Sequence, residues 1–211
     1  MKRLSFCIPI LLVVLAGLGA CASPETDKAD SEAPEAGPTG PRPTSPTADV
    51  SCVAPGDELT GSGLGELQIG MSVDELTERC HVAADTTIMG IEGQPQRIAY
   101  VVAGDDTIRA EIVDEAVWRI NIETPTWRTS DSLGIGSTVA ELLELPEVQG
   151  FTGEGNLVIA SPRHCGINFR VDAGDATPPP AGGWDEATLR QLPETAVVDL
   201  IMITGCPEPD L

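Results

Sequence analysis

The sequence predicts a single exported domain of the α+β class, in which short helices pack on antiparallel β-sheet and an αβββ unit occurs twice in tandem. Apolar residues with a period of two indicate strands, and two Ser- or Thr-led apolar segments indicate helices. These segments follow one another in the same order in both halves of the chain. The chain has 211 residues, and the part after residue 50 is long enough for one domain with a hydrophobic core.

Residues 1–20 have the pattern of an export signal. A positively charged start precedes an apolar run over residues 8–18, which is shorter than the roughly 20 residues that a bilayer span needs. The sequence Leu18-Gly19-Ala20-Cys21 then resembles the lipobox of bacterial lipoproteins. This resemblance implies cleavage before Cys21, diacylation of that cysteine, and a domain anchored to a bacterial membrane outside the cytoplasm. An ordinary signal with a chance cysteine is the alternative.

Residues 21–50 are predicted to form a disordered tether that starts at the lipidated cysteine. The segment is rich in Pro, Ala, Thr, Ser and acidic residues, with too few apolar side chains to offset the entropy lost on ordering. Its prolines favour an extended geometry that would lift the domain off the membrane. The formal net charge of the chain is −21, which disfavours nucleic acid and anionic lipid surfaces as partners.

Four cysteines remain in the domain, and an even number in an oxidising compartment predicts two disulfides. Three pairings are possible. We favour Cys52–Cys80 and Cys165–Cys206, because this pairing keeps each bridge within one half of the domain. A zinc site is the competing interpretation, but no Cys-x-x-Cys pair occurs in the sequence. We expect neither a metal nor a cofactor.

A repeated segment marks the start of each predicted helix. Residues 69–76 read Ile-Gly-Met-Ser-Val-Asp-Glu-Leu, and residues 135–142 read Ile-Gly-Ser-Thr-Val-Ala-Glu-Leu. In both, a glycine ends an extended approach, a Ser or Thr takes the N-cap position, and an acid near the helix start can bind free N–H groups. Each helix is expected to be short, ending near Cys80 or at Leu145-Pro146.

Three strands are predicted after the first helix, over residues 97–103, 107–113 and 117–123. Three-residue loops between them would place one apolar set on a single face. The same register sets Glu111 opposite Arg119 on the outer face, a charge pair worth roughly a few tenths of a kcal/mol. The expected inward residues are Ile98, Tyr100, Val102, Ile108, Ala110, Ile112, Trp118, Ile120 and Ile122.

The second half repeats this pattern with strands over residues 156–160, 166–172 and 196–204. Arg170 is expected to pair with Asp199, which takes the position of Arg119 in the repeat. The first unit spans about residues 64–124 and the second about residues 130–206, within one domain over residues 51–211. The expected inward residues of the middle strand are Ile167, Phe169 and Val171.

The tandem units resemble the fold of β-lactamase inhibitory protein and of the small outer-membrane assembly lipoproteins of the SmpA kind. Residues 63–72 and 132–137 are more closely similar to a broad set of uncharacterised bacterial lipoproteins with the same two halves. The resemblance covers about residues 64–206 and rests on short turn-and-helix signatures. It implies the fold, whereas proteins that share the fold bind quite different partners, so no contact residue is transferred to this chain.

The sequence contains no recognisable catalytic constellation. His81 and His164 each adjoin a cysteine, but a disulfide at that cysteine would remove the thiolate, so both histidines are interpreted as surface residues. Ser62 lies outside any Gly-x-Ser-x-Gly elbow, and the paired acids fit turns better than acid–base catalysis. Residues 172–175 lack the spaced ligands of a calcium loop. The chain is therefore expected not to be an enzyme.

Two long connections, over residues 81–96 and 173–195, carry most of the candidate binding residues. Connections beyond about 12–15 residues are usually functional or disordered, and exposed Trp and Met are typical interface anchors. Trp184 could instead fold back onto the core, and the same choice is open for Trp127 between the two halves. The candidate binding residues are Ile88, Met89, Trp127 and Trp184, with Ile91 in the first connection.

The sequence thus predicts a lipid-anchored, extracytoplasmic, non-enzymatic module that binds another envelope or extracellular protein or takes part in envelope assembly. Its anchor, tether and small rigid domain suit capture at a surface. The alternative is a surface lipoprotein that binds a small ligand or a cation through its acidic loops. An envelope hydrolase is a third hypothesis, which requires a nucleophile and a base brought together in a pocket.

Overall fold

The computed structural model describes residues 51–90, 93–175 and 183–207. The predicted signal, the tether, Cys21 and Ile91 lie outside these residues. In the part of the chain that is described, no helix is long and apolar enough to cross a membrane.

A small three-stranded antiparallel sheet opens the domain. It consists of β1 (Leu59–Thr60), β2 (Gly63–Leu64) and β3 (Leu67–Gln68), in that order. Its leucines are fully buried and belong to the main hydrophobic core.

Most of the remaining described residues form one eight-stranded antiparallel sheet. Its strands are β4 (Val82–Met89), β5 (Pro95–Ala103), β6 (Asp106–Val113), β7 (Ala116–Ile122), β8 (Gln149–Gly153), β9 (Asn156–Ala160), β10 (Ile167–Asp172) and β11 (Val197–Ile203). Their order is β4-β5-β6-β7-β11-β10-β9-β8. The first four strands thus occupy one half of the sheet and the last four the other half, and β7 and β11 join at the centre. The fold is α+β and mainly antiparallel β-sheet.

In the described residues, three short α-helices accompany the sheets: α1 (Val73–Arg79), α2 (Val139–Leu142) and α3 (Glu186–Leu189); a 3₁₀ turn occupies Pro162–His164. The first two begin with capping boxes, as the sequence predicts. The backbone N–H of Glu75 donates to Ser72 Oγ at 3.2 Å, and the Ser72 N–H donates to the Glu75 carboxylate at 3.1 Å. Thr138 and Glu141 make the same two bonds at 3.2 and 2.7 Å.

The glycines that lead into α1 and α2 attach these helices to the sheet. The Gly70 N–H donates to the Val117 carbonyl at 2.7 Å, and the Gly136 N–H donates to the Val198 carbonyl at 2.8 Å. Both glycines have a φ near +80°, a conformation that L side chains rarely adopt. α1 ends at the predicted Cys80, whereas α2 ends after one turn, ahead of the predicted Pro146.

Four strands, and not the predicted three, follow each of α1 and α2. β4 occupies residues that the sequence analysis assigns to a loop, and β8 occupies residues 149–153, for which it predicts no strand. Residues 83–89 of β4 are exposed on both faces, so the alternating pattern of a half-buried strand is missing. β8 contains two glycines in five residues, and glycine is depleted in strands.

The turn between β5 and β6 has two residues instead of the expected three. Ala103 pairs with Asp106, so Gly104 (φ 64°) and Asp105 form the turn. A change of one residue moves every side chain of a strand to the other face, and the prediction for β5 is therefore wrong. Its core-facing residues are Ala99, Val101 and Ala103, and not Ile98, Tyr100 and Val102.

A bulge in β7 reverses the predicted position of Trp118. Glu111 pairs with Arg119 and Ile112 pairs with Val117, which leaves Trp118 as the extra residue. Its side chain is 49% exposed and lies on the solvent side of the sheet. The other predicted inward residues of β6, β7 and β10 do face the core: Ile108, Ala110, Ile112, Ile120, Ile122, Ile167, Phe169 and Val171.

The structure pairs the cysteines as predicted, Cys52 with Cys80 and Cys165 with Cys206. The Cα–Cα distances are 4.9 and 5.3 Å. The first bridge links the start of the described domain to the C-cap of α1, and the second links the residues that flank β10 and β11. Disulfides persist in oxidising compartments, so the two bridges indicate an extracytoplasmic location.

Candidate functional site

The side of the eight-stranded sheet that faces away from the helices and the core is the candidate binding surface, here called the open face. Cross-strand register places its residues together. Glu111 on β6 lies opposite Arg119 on β7, and Arg170 on β10 lies opposite both Val158 on β9 and Leu200 on β11. The open face therefore crosses the central seam between the two halves of the sheet.

A buried carboxylate lies at the centre of the open face. Glu111 is only 4% exposed, and its carboxylate accepts a hydrogen bond from Asn121 Nδ2 at 2.7 Å. A guanidinium nitrogen of Arg119 approaches it to 2.9 Å. Arg119 also donates to Glu154 at 2.8 Å, which connects β7 to the β8–β9 turn. The predicted Glu111–Arg119 pair is present, but it is buried rather than solvated.

Two further ion pairs extend this network along the open face. Arg109 donates to Glu123 at 3.1 Å, and Arg170 donates to Asp199 at 2.9 and 2.8 Å, as the sequence predicts. Arg170 has its pKa raised, mainly by the hydrogen bonds to Asp199. Burial lowers the pKa of Arg119, but Glu111 and Glu154 raise it by more, so the net direction is upward. The guanidinium groups of Arg119 and Arg170 therefore stay charged.

Two hydrogen-bond donors of this network are unused. Among the described residues, the buried Nε–H groups of Arg109 and Arg119 have no partner. A buried donor without a partner costs roughly 1–3 kcal/mol.

An apolar patch adjoins the charged network. Val158, Leu200 and Met202 are buried and form a hydrophobic cluster separate from the main core. Phe151 is 43% exposed and, with Trp118, lines the same depression of about 200 Å³. We call Trp118, Phe151, Val158, Leu200 and Met202 the apolar patch. It presents two exposed aromatic rings beside a surface that is already desolvated.

A larger groove of about 670 Å³ runs over the charged network. Ile88 and Met89, at the end of β4, form one side, and Glu154 and Gly155 line the groove from the β8–β9 turn. Arg109, Glu111, Arg119, Asn121, Arg170, Leu200 and Met202 also line it. The groove and the apolar patch share several residues and form one continuous surface.

Two of the four candidate binding residues lie on this surface. Ile88 and Met89 are exposed, Met89 by 67%, although they lie on a strand and not in a loop. Trp127 and Trp184 are buried, and their proposed role as interface anchors is wrong. Trp127 Nε1 donates to the Ala54 carbonyl at 2.8 Å, and Trp184 packs into the main core beside Gly150. Trp184 thus takes the alternative position on the core.

Trp118 and Phe151 are the binding-surface residues that sequence reasoning misses. Trp118 fits the period-two pattern of an inward residue, and the bulge that turns it outward has no clear local signal. Phe151 lies on β8, which the sequence does not mark as a strand. An aromatic residue in a segment with two glycines and no apolar alternation is the one available sign.

The two histidines differ in their surroundings. His81 is exposed, as expected. His164 is buried, which corrects the surface assignment, and its Nε2 lies 2.9 Å from an Asp131 oxygen. Arg163 donates to the same carboxylate at 3.1 and 3.2 Å, and these bonds hold the pKa of Asp131 below its usual range. This cluster anchors the turn ahead of β10 to the connector between the halves.

The described residues include no group of three or more His, Cys, Asp or Glu side chains that could hold a metal ion. Cys80 and Cys165, which adjoin the histidines, are both in disulfides.

Comparison with known proteins adds one distant structural likeness. No protein-family model matches the chain, and neither does any curated protein. Among solved structures, the chain is similar to the uncharacterized protein yfeY from Escherichia coli. The identity is 14% and the TM-score 0.47, over 73% of this chain and 99% of the other. No statement about function follows from a likeness this distant.

Proposed function

We propose that this chain is a lipid-anchored, extracytoplasmic, non-enzymatic module that binds another envelope protein through its open face. The observation that carries the proposal is the apolar patch, where exposed Trp118 and Phe151 flank a desolvated cluster beside partly buried arginines. Binding energy in protein interfaces is concentrated in such aromatic and arginine residues, and well-packed surroundings exclude water from them. The guanidinium groups of Arg109, Arg119 and Arg170, which line the adjoining groove, would supply polar specificity.

The location in this proposal is supported by features at the start of the chain and in the domain. Both disulfides indicate an oxidising compartment, and the lipobox-like sequence would supply the anchor at Cys21. Diacylation matters because one acyl chain alone binds membranes only marginally. Cys21→Ser is expected to release the chain from the membrane fraction.

The proposal includes a tandem duplication as the origin of the scaffold, in line with the resemblance to lipoproteins with two such halves. Three features support it: matching capping boxes, matching glycine bonds to the last strand of each half, and the reversed strand order about the centre of the sheet. With β4 and β8 included, the repeated unit is αββββ. The open face then spans the joint between two copies of one unit.

Site-specific photocrosslinking tests the binding face in cells that make the full chain. A photoreactive phenylalanine analogue replaces Trp118 or Phe151, and the matched control replaces Arg79, whose side chain is 52% exposed and which lies on α1, away from the open face. Both patch positions are expected to give one discrete adduct with an envelope protein, and Arg79 none. Identical products at all three positions, or no adduct at either patch position, would contradict the proposal.

A small-ligand carrier is the second candidate function, and the groove volume favours it. Ligand pockets are typically about 300–1,000 Å³, and the groove of about 670 Å³ lies in this range. A ligand with an anionic or carbonyl acceptor would meet the guanidinium groups of Arg109 and Arg119, which line the groove. This function predicts a rise in melting temperature with such a ligand that Arg119→Ala abolishes, and no adduct in the crosslinking experiment.

A further inference from the structure

We propose that the free edge of β4 pairs with β4 of a second copy of this chain, so that two eight-stranded sheets join into one continuous antiparallel sheet. β4 is the end strand of the sheet and is hydrogen-bonded only to β5 among the described residues. It is eight residues long, and all but its first residue are exposed. A long exposed edge strand offers a row of free backbone groups to another strand.

The two edge strands of the large sheet differ in how well they are protected from pairing with another chain, and β4 is the less protected. At the opposite edge, β8 has only five residues, and Gly150 on it forms a bridge with Trp184, next to α3. Short length and cover by another segment are the usual ways in which a sheet edge is protected. Among the residues that the structure describes, none covers β4 as Trp184 covers β8, and β4 contains no Lys, Arg or Pro. Its one bulge lies between Val82 and Ala84 and leaves the rest of the strand regular.

The hydrogen-bond pattern shows which backbone groups of β4 point outward. The Gly90 N–H donates to the Gln94 carbonyl at 2.8 Å, so the pair between them, Met89 and Pro95, is a non-hydrogen-bonded pair. Such pairs alternate along an antiparallel ladder. By this alternation, the N–H and C=O groups of Met89, Thr87 and Asp85 point away from β5.

The outward N–H and C=O groups of one copy can bond to the same groups of a second copy related by a two-fold axis. If the axis passes through Thr87, each Thr87 exchanges two backbone hydrogen bonds with its copy, and each Asp85 does so with the Met89 of the other copy. The two Asp85 side chains are then kept apart. On the open face, Ile88 of each copy meets Thr86 of the other. A symmetric pairing of one patch with itself is the usual form of a homodimer interface.

The charge of β4 itself does not oppose a second copy at this strip. The chain carries a net charge of −21, yet Asp85, the only charged residue of β4, is bound by Arg97 at 2.8 Å. The edge is therefore a neutral strip on an acidic molecule. A basic partner would be drawn to other surfaces, whereas two copies can meet here with the least repulsion.

The test compares two substitutions at Thr87 in the chain from Ala22 to Leu211, produced in an oxidising compartment. Thr87→Pro removes the outward N–H without touching the bonds to β5, and prolines are tolerated at such edge positions. Thr87→Val is the matched control, because it keeps the N–H. By sedimentation, the unmodified chain and Thr87→Val are expected to dimerise as concentration rises, and more so with added salt. Thr87→Pro is expected to weaken dimerisation about tenfold or more.

A crosslink reports the register independently of the stability of Thr87→Pro. Residues in a hydrogen-bonded antiparallel pair have Cα atoms about 5.5 Å apart, within the range of a disulfide. Thr87→Cys is therefore expected to give a disulfide-linked dimer, and Thr86→Cys is not. A monomer at every accessible concentration, equal dimerisation of Thr87→Pro and Thr87→Val, or crosslinking through Thr86→Cys but not Thr87→Cys would overturn the proposal. Failure of the open-face crosslinking experiment would leave it unaffected.

Discussion

At the scale of single residues, Glu111 shows how burial changes the meaning of a predicted charge pair. Sequence register alone pairs it with Arg119 and assigns the pair to a solvated surface. In the structure, Glu111 is almost fully buried and shared between Arg119 and Asn121. Removing one member of a buried pair leaves an uncompensated charge, which costs far more than the loss of a surface pair.

Glu111→Ala is expected to lower the free energy of unfolding by about 2–4 kcal/mol, because the mostly buried Arg119 loses its buried carboxylate partner and keeps only Glu154 at the surface. The matched control is Glu154→Ala. Glu154 also binds Arg119, but its side chain is about half exposed, so the expected loss is at most about 1 kcal/mol. Urea unfolding of both variants measures the difference, and equal losses would contradict the buried character of the pair.

At the scale of elements, local chemistry determines the helix starts, and tertiary context determines the strand registers. The capping boxes of α1 and α2 are readable in the sequence because both reciprocal bonds of each box lie within four residues. Three other features are not readable in the sequence, because each depends on what the strand packs against. They are the two-residue turn at Gly104-Asp105, the bulge at Trp118 and the exposure of β4 on both faces. The apolar patch depends on the bulge at Trp118 and on β8, which the sequence does not mark as a strand. Of the binding surface, the sequence therefore proposed only Ile88 and Met89 as binding residues.

Ser72→Ala and Thr138→Ala are each expected to lower stability by about 1 kcal/mol, the usual cost of losing an N-cap side chain. A similar loss at both sites is expected, since the two boxes have the same geometry. Thermal or urea unfolding at neutral pH measures each variant. A loss at only one site would show that the two helix starts are not equivalent.

The capping carboxylates also make stability depend on pH. The backbone N–H of Ser72 holds the pKa of Glu75 below its usual value near 4.5, and Thr138 does the same for Glu141. A lowered pKa in the folded state means that the contribution is complete above the ordinary Glu range and is lost as pH falls below it. The free energy of unfolding should therefore fall from pH 5 to pH 3. Replacing both glutamates with glutamine should flatten this part of the profile, and an unchanged slope would contradict the assignment.

At the scale of the whole molecule, covalent bridges and the small sheet hold the ends of the domain to its centre. Cys165 and Cys206 close the second half, and the small sheet packs against that bridge: a side chain at Gly61 would overlap the Cys165 carbonyl. The pairing was predictable from the repeat, since each bridge stays within one half. The packing of the small sheet was not predictable, because no pattern in residues 59–68 indicates which part of the chain the sheet contacts.

Replacing either cysteine pair with serine is expected to lower the free energy of unfolding by about 2–4 kcal/mol, mainly because the unfolded chain gains freedom. The sequence separations are 28 and 41 residues, and the loop-length dependence is weak, so the two losses should be similar. Urea unfolding measures both. Addition of reductant should destabilise the parent chain but not the variant that lacks all four cysteines.

The position of the Cys52–Cys80 bridge has a mechanical consequence. Cys52 is the second described residue, so a pull on the N-terminal side of the chain reaches the domain at a covalent bond. The force passes through this bond to Cys80 and into β4, and the loop between the two cysteines, which contains β1, β2, β3 and α1, bears no tension. If the predicted tether holds the domain to a membrane, a load on the tether would be transmitted directly to β4, the outer strand of the large sheet. The small sheet and α1 would then stay folded.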